Sequence, residues 1–104
     1  MSHEVLLTLR ASEEAQSIHD WWATHRSREQ ADRWYVAFWR SILSLEQDPE
    51  RCAVARESGR WPYELRQLNF GLGSRPTHRI VFTMRHDRAV VLRVRHLAQR
   101  DIEG

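Results

Sequence analysis

Several residue types are scarce in this sequence, and each shortage excludes something. The 104 residues include a single cysteine, Cys52, so no disulfide can form within the chain, and a reducing compartment is expected. No apolar run approaches the roughly 20 residues that a membrane-spanning helix needs, and residues 1–10 do not have the pattern of a signal peptide. The absence of a signal peptide predicts a cytoplasmic protein. With no repeat and no low-complexity stretch, we expect one domain over residues 1–104.

Lysine is absent, and all 16 basic residues are arginines. The formal net charge is nevertheless only +2. Guanidinium groups are planar forks that bind phosphate or carboxylate groups through two parallel hydrogen bonds. A GC-rich genome produces the same arginine bias without any functional cause, so the positions of the arginines matter more than their number.

Apolar spacing predicts a strand followed by two helices. Residues 4–9 form a short apolar run that is typical of a strand, and Ser12 is the predicted N-cap of the first helix. Ser27 and Gln30 fit a capping box, which predicts a second helix that ends before Pro49. Two helices joined by a few residues pack antiparallel, and their apolar faces would cover one side of a sheet.

The centre of the chain is a predicted hairpin over residues 78–96. Two β-branched runs flank a polar break, the pattern of antiparallel strands joined by a turn. A further strand is predicted over Tyr63 to Leu68, with Leu65 facing inward and Arg66 outward. Alternation predicts that the core side of the hairpin carries Ile80, Phe82, Met84, Val90, Leu92 and Val94.

The predicted fold class is therefore α+β, in the order strand, helix, helix, strand, strand, strand. The two-helix hairpin covers one face of an antiparallel sheet, and the other face is expected to be open. Four arginines would converge on that open face: Arg66, Arg79, Arg93 and Arg95. Such a group could hold phosphate, although a solvated outer face that binds nothing is the alternative.

A phosphate cradle of this kind would suit RNA cleavage. The 2′-hydroxyl can attack its own phosphate if one group removes a proton, another donates one, and cations stabilise the phosphorane. His96 is the best-placed histidine, because it ends the last strand beside Arg95. Strict alternation puts His96 in phase with Val94 on the core side, so a structural role at the strand end is the alternative. No spacing of histidines, Cys52 and carboxylates matches a metal site, and we expect neither a metal nor another cofactor.

Trp21 and Trp39 lie beside the predicted apolar stripes of the two helices. Partly exposed tryptophans at helix margins often belong to protein interfaces, because they combine apolar area with a polar edge. A broad core stripe covered by neighbouring loops is the alternative. We therefore expect Trp21 or Trp39 to contact a protein partner.

In their order and spacing, four stretches resemble the RelE/ParE toxin superfamily of type II toxin–antitoxin systems, often labelled plasmid stabilisation proteins. These stretches are Asp48 to Cys52, Glu64 to Leu68, His78 to Phe82 and Val90 to His96. The resemblance implies the same fold of a strand, two helices and an antiparallel sheet. It also implies a toxin that inhibits growth and an antitoxin that wraps around it and neutralises it.

Two activities follow from the resemblance. In the RelE-like branch, toxins cleave mRNA on the ribosome; Arg79 matches the arginine of the family's central strand, and His96 matches a histidine that some members use as acid or base. On this reading Arg79, His96 and Arg66 are catalytic, Arg93 and Arg95 bind RNA phosphate, and the partners are the ribosome and mRNA. This chain departs from that branch, because Leu97 replaces the tyrosine that follows the histidine. In the ParE-like branch the toxin poisons DNA gyrase and needs no nuclease site, and a non-toxic relic of the family is a third alternative.

Overall fold

The computed structural model describes residues 2–103. Helices and strands follow in the order β1 (Glu4–Leu7), α1 (Leu9–His25), α2 (Arg28–Ser44), β2 (Ala53–Val54), β3 (Arg66–Phe70), β4 (His78–Arg85) and β5 (Arg88–His96). Short 3₁₀ turns, Pro49–Arg51 and Ser58–Arg60, flank β2. Within residues 2–103, no helix combines the length and the apolar character needed to cross a membrane.

The five strands form one sheet in the order β1-β5-β4-β3-β2. The α1–α2 pair packs on one face of this sheet, so the predicted α+β fold is confirmed. Two details differ from the prediction. Strand β2 is an additional strand of two residues, and β1 runs parallel to β5 while the other pairs are antiparallel. Parallel pairing is possible here because two helices and three strands separate β1 from β5 along the chain.

Side-chain caps fix the starts of both helices. Helix α1 begins at Leu9, because the hydroxyl of Thr8 accepts a hydrogen bond of 3.1 Å from a backbone N–H of the first turn. The predicted cap, Ser12, lies within this helix, so that prediction was wrong. For α2 the prediction is confirmed, since the Gln30 N–H donates to the Ser27 hydroxyl over 3.1 Å. The buried face of α2 consists of Ala31, Trp34, Phe38 and Ile42.

A β-bulge in β5 changes which of its side chains face the helices. Val81 pairs with Arg93, whereas the next residue of β4 pairs with Val91, so Leu92 is an extra residue in β5. The predicted core positions Val90 and Leu92 were therefore wrong, because simple alternation assumes an unbroken strand. The buried, helix-facing residues of the hairpin are Ile80, Phe82, Ala89, Val91 and Val94.

The face opposite the helices is covered, and the prediction of an open face was wrong. The segment before β3 and the segment after β5 lie across it and form a second small core. The buried members of this core are Ala55, Leu65, Val81 and Ile102. Leu65 is buried, but as a member of this second core and not on the helix-facing side, so its predicted orientation was wrong. Arg66 lies on the helix side instead, because it pairs with the helix-facing Phe82.

Candidate functional site

Arg79 is fully buried and engaged by an acidic partner. Its Nη1 donates to Glu57 Oε1 over 2.8 Å, and its Nη2 donates to the other oxygen of the same carboxylate. Nη1 also donates to Gln67 Oε1 over 3.0 Å. The side chains of both Arg79 and Glu57 are 0% exposed. Consequently, no phosphate can reach the guanidinium of Arg79 while the covering segments are in place.

The Glu57 carboxylate also holds the C-terminal segment. Glu57 Oε2 accepts a hydrogen bond of 3.0 Å from the backbone N–H of Ile102. The hydrogen bonds from Arg79 lower the pKa of Glu57 to about 2, against the opposing effect of burial. Glu57 is therefore ionised at neutral pH, and it fastens residues after β5 to the sheet.

Arg66 is also engaged, but on the other face of the sheet. Its Nη1 donates to the backbone oxygens of Glu50 (3.0 Å) and Cys52 (2.7 Å), and its Nη2 lies 2.9 Å from a Glu64 oxygen. These contacts hold the first 3₁₀ turn and the start of β2 against β3. The position of Arg66 is thus explained by its structural contacts.

His96 lies on the helix side of the sheet, as strict alternation with Val94 predicts. It ends β5 and pairs with His78, and the two ring centroids are 4.9 Å apart. Its Nδ1 accepts a hydrogen bond of 3.0 Å from the N–H of Ala98, so in the neutral ring Nε2 carries the proton. A proton-carrying Nε2 can donate a hydrogen bond to a ligand. That ligand would have to approach from the helix side of the sheet.

His78 is a buried, neutral neighbour of His96. Its Nδ1 accepts a hydrogen bond of 3.3 Å from the indole N–H of Trp34. Burial lowers the pKa of His78 to about 4, and the nearby His96 adds to the effect. His78 therefore stays uncharged at neutral pH and acts as a packing residue between Trp34 and the end of β5.

His96 and Trp21 line the same concavity, which we name the tryptophan pocket. It has a volume of about 580 Å³ and lies between α1 and the ends of β4 and β5. Trp21 is 48% exposed at its rim and stacks on His25, with ring centroids 4.8 Å apart. Its lining consists of Ile18, Trp21, Trp22, Arg26, Thr77, His78, His96 and Gln99.

Trp39 belongs to a separate exposed surface on α2. Together with Val36 and Leu43 it forms an apolar stripe on one side of that helix, and these three residues are 41%, 51% and 58% exposed. A groove of about 840 Å³ adjoins the stripe, between α2 and the connection from β3 to β4. Exposed Arg33 and Arg40 border this groove. We name the stripe and groove together the α2 surface.

Arg93 and Arg95 lie on the face opposite the helices, near the C-terminal segment. The fork of Arg93 donates to the carboxylate of Glu14 over 2.8–3.0 Å, and that carboxylate also accepts the Val94 N–H over 2.9 Å. Arg95 Nη2 donates to the backbone oxygen of Arg100 over 2.7 Å. Burial lowers the pKa of the Arg95 guanidinium, and the charge of Arg93 adds to this effect.

These arginines border a concavity of about 500 Å³, which we name the arginine pocket. Its lining consists of Arg10, Arg93, Arg95, Arg100, Asp101, Ile102 and Glu103.

The predicted catalytic residues do not share one site. Arg79 faces the second layer, whereas Arg66 and His96 face the helices. Arg66 and His96 also lie far apart along the strands. His96 pairs with His78, and His78 pairs with Phe70, which is four residues beyond Arg66. This spacing corresponds to about 13 Å along the strand. Of the four arginines predicted to converge on one face, Arg79, Arg93 and Arg95 do lie on the face opposite the helices, whereas Arg66 lies on the helix side, so the prediction was wrong for Arg66.

Other notable residues carried no local signal in the sequence. Glu57 belongs to the least periodic stretch, before β3, and only the folded chain brings it to Arg79. Arg10 and Arg100 lie near opposite ends of the chain and meet only because α1 packs along β5. Within residues 2–103, no three histidine, cysteine or acidic side chains gather in the way that a metal ion requires.

The fold is similar to that of a chain from a solved structure titled "Chromosomal ParDE TA system from P. aeruginosa". The TM-score is 0.73 at 19% sequence identity, over 91% of this chain and 96% of that chain. A likeness at this identity shows a shared fold. Residues 5–101 match the family described as ParE toxin of type II toxin-antitoxin system, parDE. The chain therefore belongs to the ParE toxin family. No curated protein sequence matches it significantly.

Proposed function

We propose that this protein arrests growth by binding and inhibiting DNA gyrase, without catalysing a reaction of its own. The observation that carries this function is the match to the ParE toxin family over residues 5–101. Gyrase poisoning is the activity expected of the ParE-like branch. Gyrase acts on chromosomal DNA, so the protein would work in the cytoplasm.

The side-chain arrangement favours this activity over ribosome-dependent mRNA cleavage. Cleavage through a phosphorane needs cations and proton-transfer groups around the same phosphate. Arg79 is buried against Glu57, and Arg66 is engaged by two backbone oxygens and Glu64. His96 lies on the sheet face opposite Arg79. A binding protein needs none of these groups to act together.

The neutralising partner would be an antitoxin segment that covers the α2 surface. Contiguous exposed apolar side chains on a helix mark an interaction site, and here they have the spacing that an amphipathic partner helix meets. The groove is also lined by Glu29 and Asp32, and Asp32 is engaged by His19. Arg33 and Arg40 make no ion pair within residues 2–103, so acidic residues of the partner would complement these two arginines. We therefore expect an apolar and acidic segment that buries Trp39.

A supercoiling assay tests the main proposal. Purified toxin is added to gyrase, ATP and relaxed plasmid, and to a translation extract that contains a reporter mRNA. We expect supercoiling to be lost and the mRNA to remain intact, and we expect the antitoxin to restore supercoiling. Cleaved mRNA with unaffected supercoiling would instead establish the RelE-like activity. No effect in either arm would indicate a non-toxic member of the family.

The partner surface is tested by comparing two tryptophans. Trp39→Ala should weaken antitoxin binding by about tenfold or more, because exposed aromatic anchors dominate interface energies. Trp21→Ala is the matched variant, since Trp21 has a similar exposure but lies on the tryptophan pocket. A larger loss of affinity for Trp21→Ala than for Trp39→Ala would place the antitoxin on the tryptophan pocket instead.

A further inference from the structure

Within residues 2–103, the arginine pocket has an excess of positive charge. Arg93 is neutralised by Glu14, and Asp101 is held by Arg56 and Arg60. The remaining guanidiniums of the pocket belong to Arg10, Arg95 and Arg100, and none of them forms an ion pair within the described residues. One further acid, Glu103, lines the pocket. Three positive groups therefore share one concavity without three negative partners.

The backbone around this pocket is held in place by buried and paired groups. The carboxylate of Asp101 bridges two arginines, and the N–H of Ile102 donates to Glu57. Arg95 Nη2 donates to the oxygen of Arg100, which fixes the guanidinium of Arg95 against the segment. The Nε of Arg95 is buried and has no hydrogen-bond acceptor within residues 2–103. The pocket is thus part of the folded structure.

Two carboxylates in this protein show how many hydrogen-bond donors a carboxylate needs. Glu14 is satisfied by the fork of Arg93 and one backbone N–H, and Glu57 by the fork of Arg79 and one backbone N–H. One guanidinium is sufficient for each of these two carboxylates, and Asp101 takes two. Three guanidiniums provide more charge and more donors than two oxygens can use. They match an anion with at least three oxygens and as many as two negative charges, as in a phosphate group.

We propose that the arginine pocket binds a phosphate group, held by Arg10, Arg95 and Arg100. The phosphate would belong either to the backbone of a nucleic acid or to a small phosphate compound. The evidence for this site is the geometry and charge of the pocket. The proposal does not depend on gyrase being the target.

The test measures thermal stability in the presence of inorganic phosphate. We expect phosphate in the millimolar range to raise the melting temperature above that in sodium chloride of equal ionic strength. Arg10→Gln and Arg100→Gln should each weaken phosphate binding by roughly threefold to fivefold, which is typical of losing one partly exposed charge pair. Both side chains are exposed, so these substitutions should leave the fold intact. Arg75→Gln, in the exposed connection between β3 and β4, is the control and should bind phosphate like the parent.

A second measurement identifies the source of the phosphate. A fluorescently labelled DNA duplex is titrated with the protein, and the anisotropy is recorded with and without inorganic phosphate. Duplex binding that phosphate competes away, and that Arg100→Gln weakens, would assign the site to a nucleic-acid backbone. Stabilisation by phosphate without duplex binding would assign it to a small phosphate compound.

Three results would overturn the assignment. Phosphate could fail to stabilise the protein beyond sodium chloride, or Arg75→Gln could lose as much phosphate affinity as Arg100→Gln. Acetate could also stabilise the protein as strongly as phosphate, in which case the pocket would be a carboxylate site. None of these measurements uses gyrase, so they remain informative even if the supercoiling assay gives a negative result.

Discussion

The Arg79–Glu57 pair offers a way to separate a structural arginine from a catalytic one. Replacing Arg79 by methionine leaves the Glu57 carboxylate buried without its partner, and replacing Glu57 by glutamine leaves the Arg79 charge uncompensated. Both side chains are 0% exposed, and Arg79 donates three hydrogen bonds that its replacement would remove. Breaking a buried ion pair from one side costs about 3–5 kcal/mol.

The lowered pKa of Glu57 gives a free-energy contribution of similar size. Its value of about 2 in the folded protein lies well below the ordinary value of 4.5. The difference corresponds to a stabilisation on the order of 3 kcal/mol at neutral pH. Because the folded-state pKa is lowered, this contribution is complete above about pH 4.5 and is lost as the pH falls towards 2. For a small protein with roughly 5–15 kcal/mol of total stability, either single change should remove a large part of the unfolding free energy.

The informative variant replaces both residues. Arg79→Met combined with Glu57→Gln leaves no buried charge, so it should cost at least about 2 kcal/mol less than the sum of the single changes. Urea denaturation followed by tryptophan fluorescence measures all three variants, with Arg75→Met as an exposed control. A single variant Arg79→Met that is within about 1 kcal/mol of the parent would refute this reasoning. A double variant as unstable as the sum would refute it too.

Two further predictions concern stability. Because burial lowers the pKa of His78 to about 4 from an ordinary 6.5, the unfolded chain binds a proton in this interval that the folded chain does not. The unfolding free energy should therefore fall by about 3 kcal/mol from pH 6.5 to pH 4, and a flat profile would contradict this. Gly71→Ala should cost about 1–3 kcal/mol, because its new Cβ would lie 2.9 Å from a backbone oxygen. Gly59→Ala, with no atom within 4 Å of the new Cβ, should be near neutral in the same urea titration.

Much of the fold follows from local patterns. The start of α2 and its buried face are specified by the Ser27 cap and by apolar residues at helical spacing. The β4–β5 hairpin is specified by two β-branched runs around a polar turn. These signals depend on neighbours a few residues apart, so they can be read without tertiary structure.

The features that control the candidate sites depend on distant contacts. The bulge at Leu92 shifts the alternation of β5, and nothing in the strand's composition marks it. The second layer depends on Ile102 and Ala55 meeting over Val81. Arg79 was therefore expected on an open face, whereas it is buried. Periodicity reveals which side chains share a face, but not what covers that face.

The phase of His96 could be predicted, because His96 follows Val94 by two residues beyond the bulge. Its neighbours in the tryptophan pocket could not, since they come from α1, the start of β4 and the segment after β5. The same holds for Arg95, whose companions Arg10 and Arg100 come from outside the hairpin.

The most direct test of a binding toxin with a structural Arg79 is gyrase supercoiling in the presence of the folded double variant, Arg79→Met with Glu57→Gln. We expect this variant to inhibit supercoiling at the same concentration as the parent protein, because its surface is unchanged. A double variant that is folded but no longer inhibits gyrase would contradict the account.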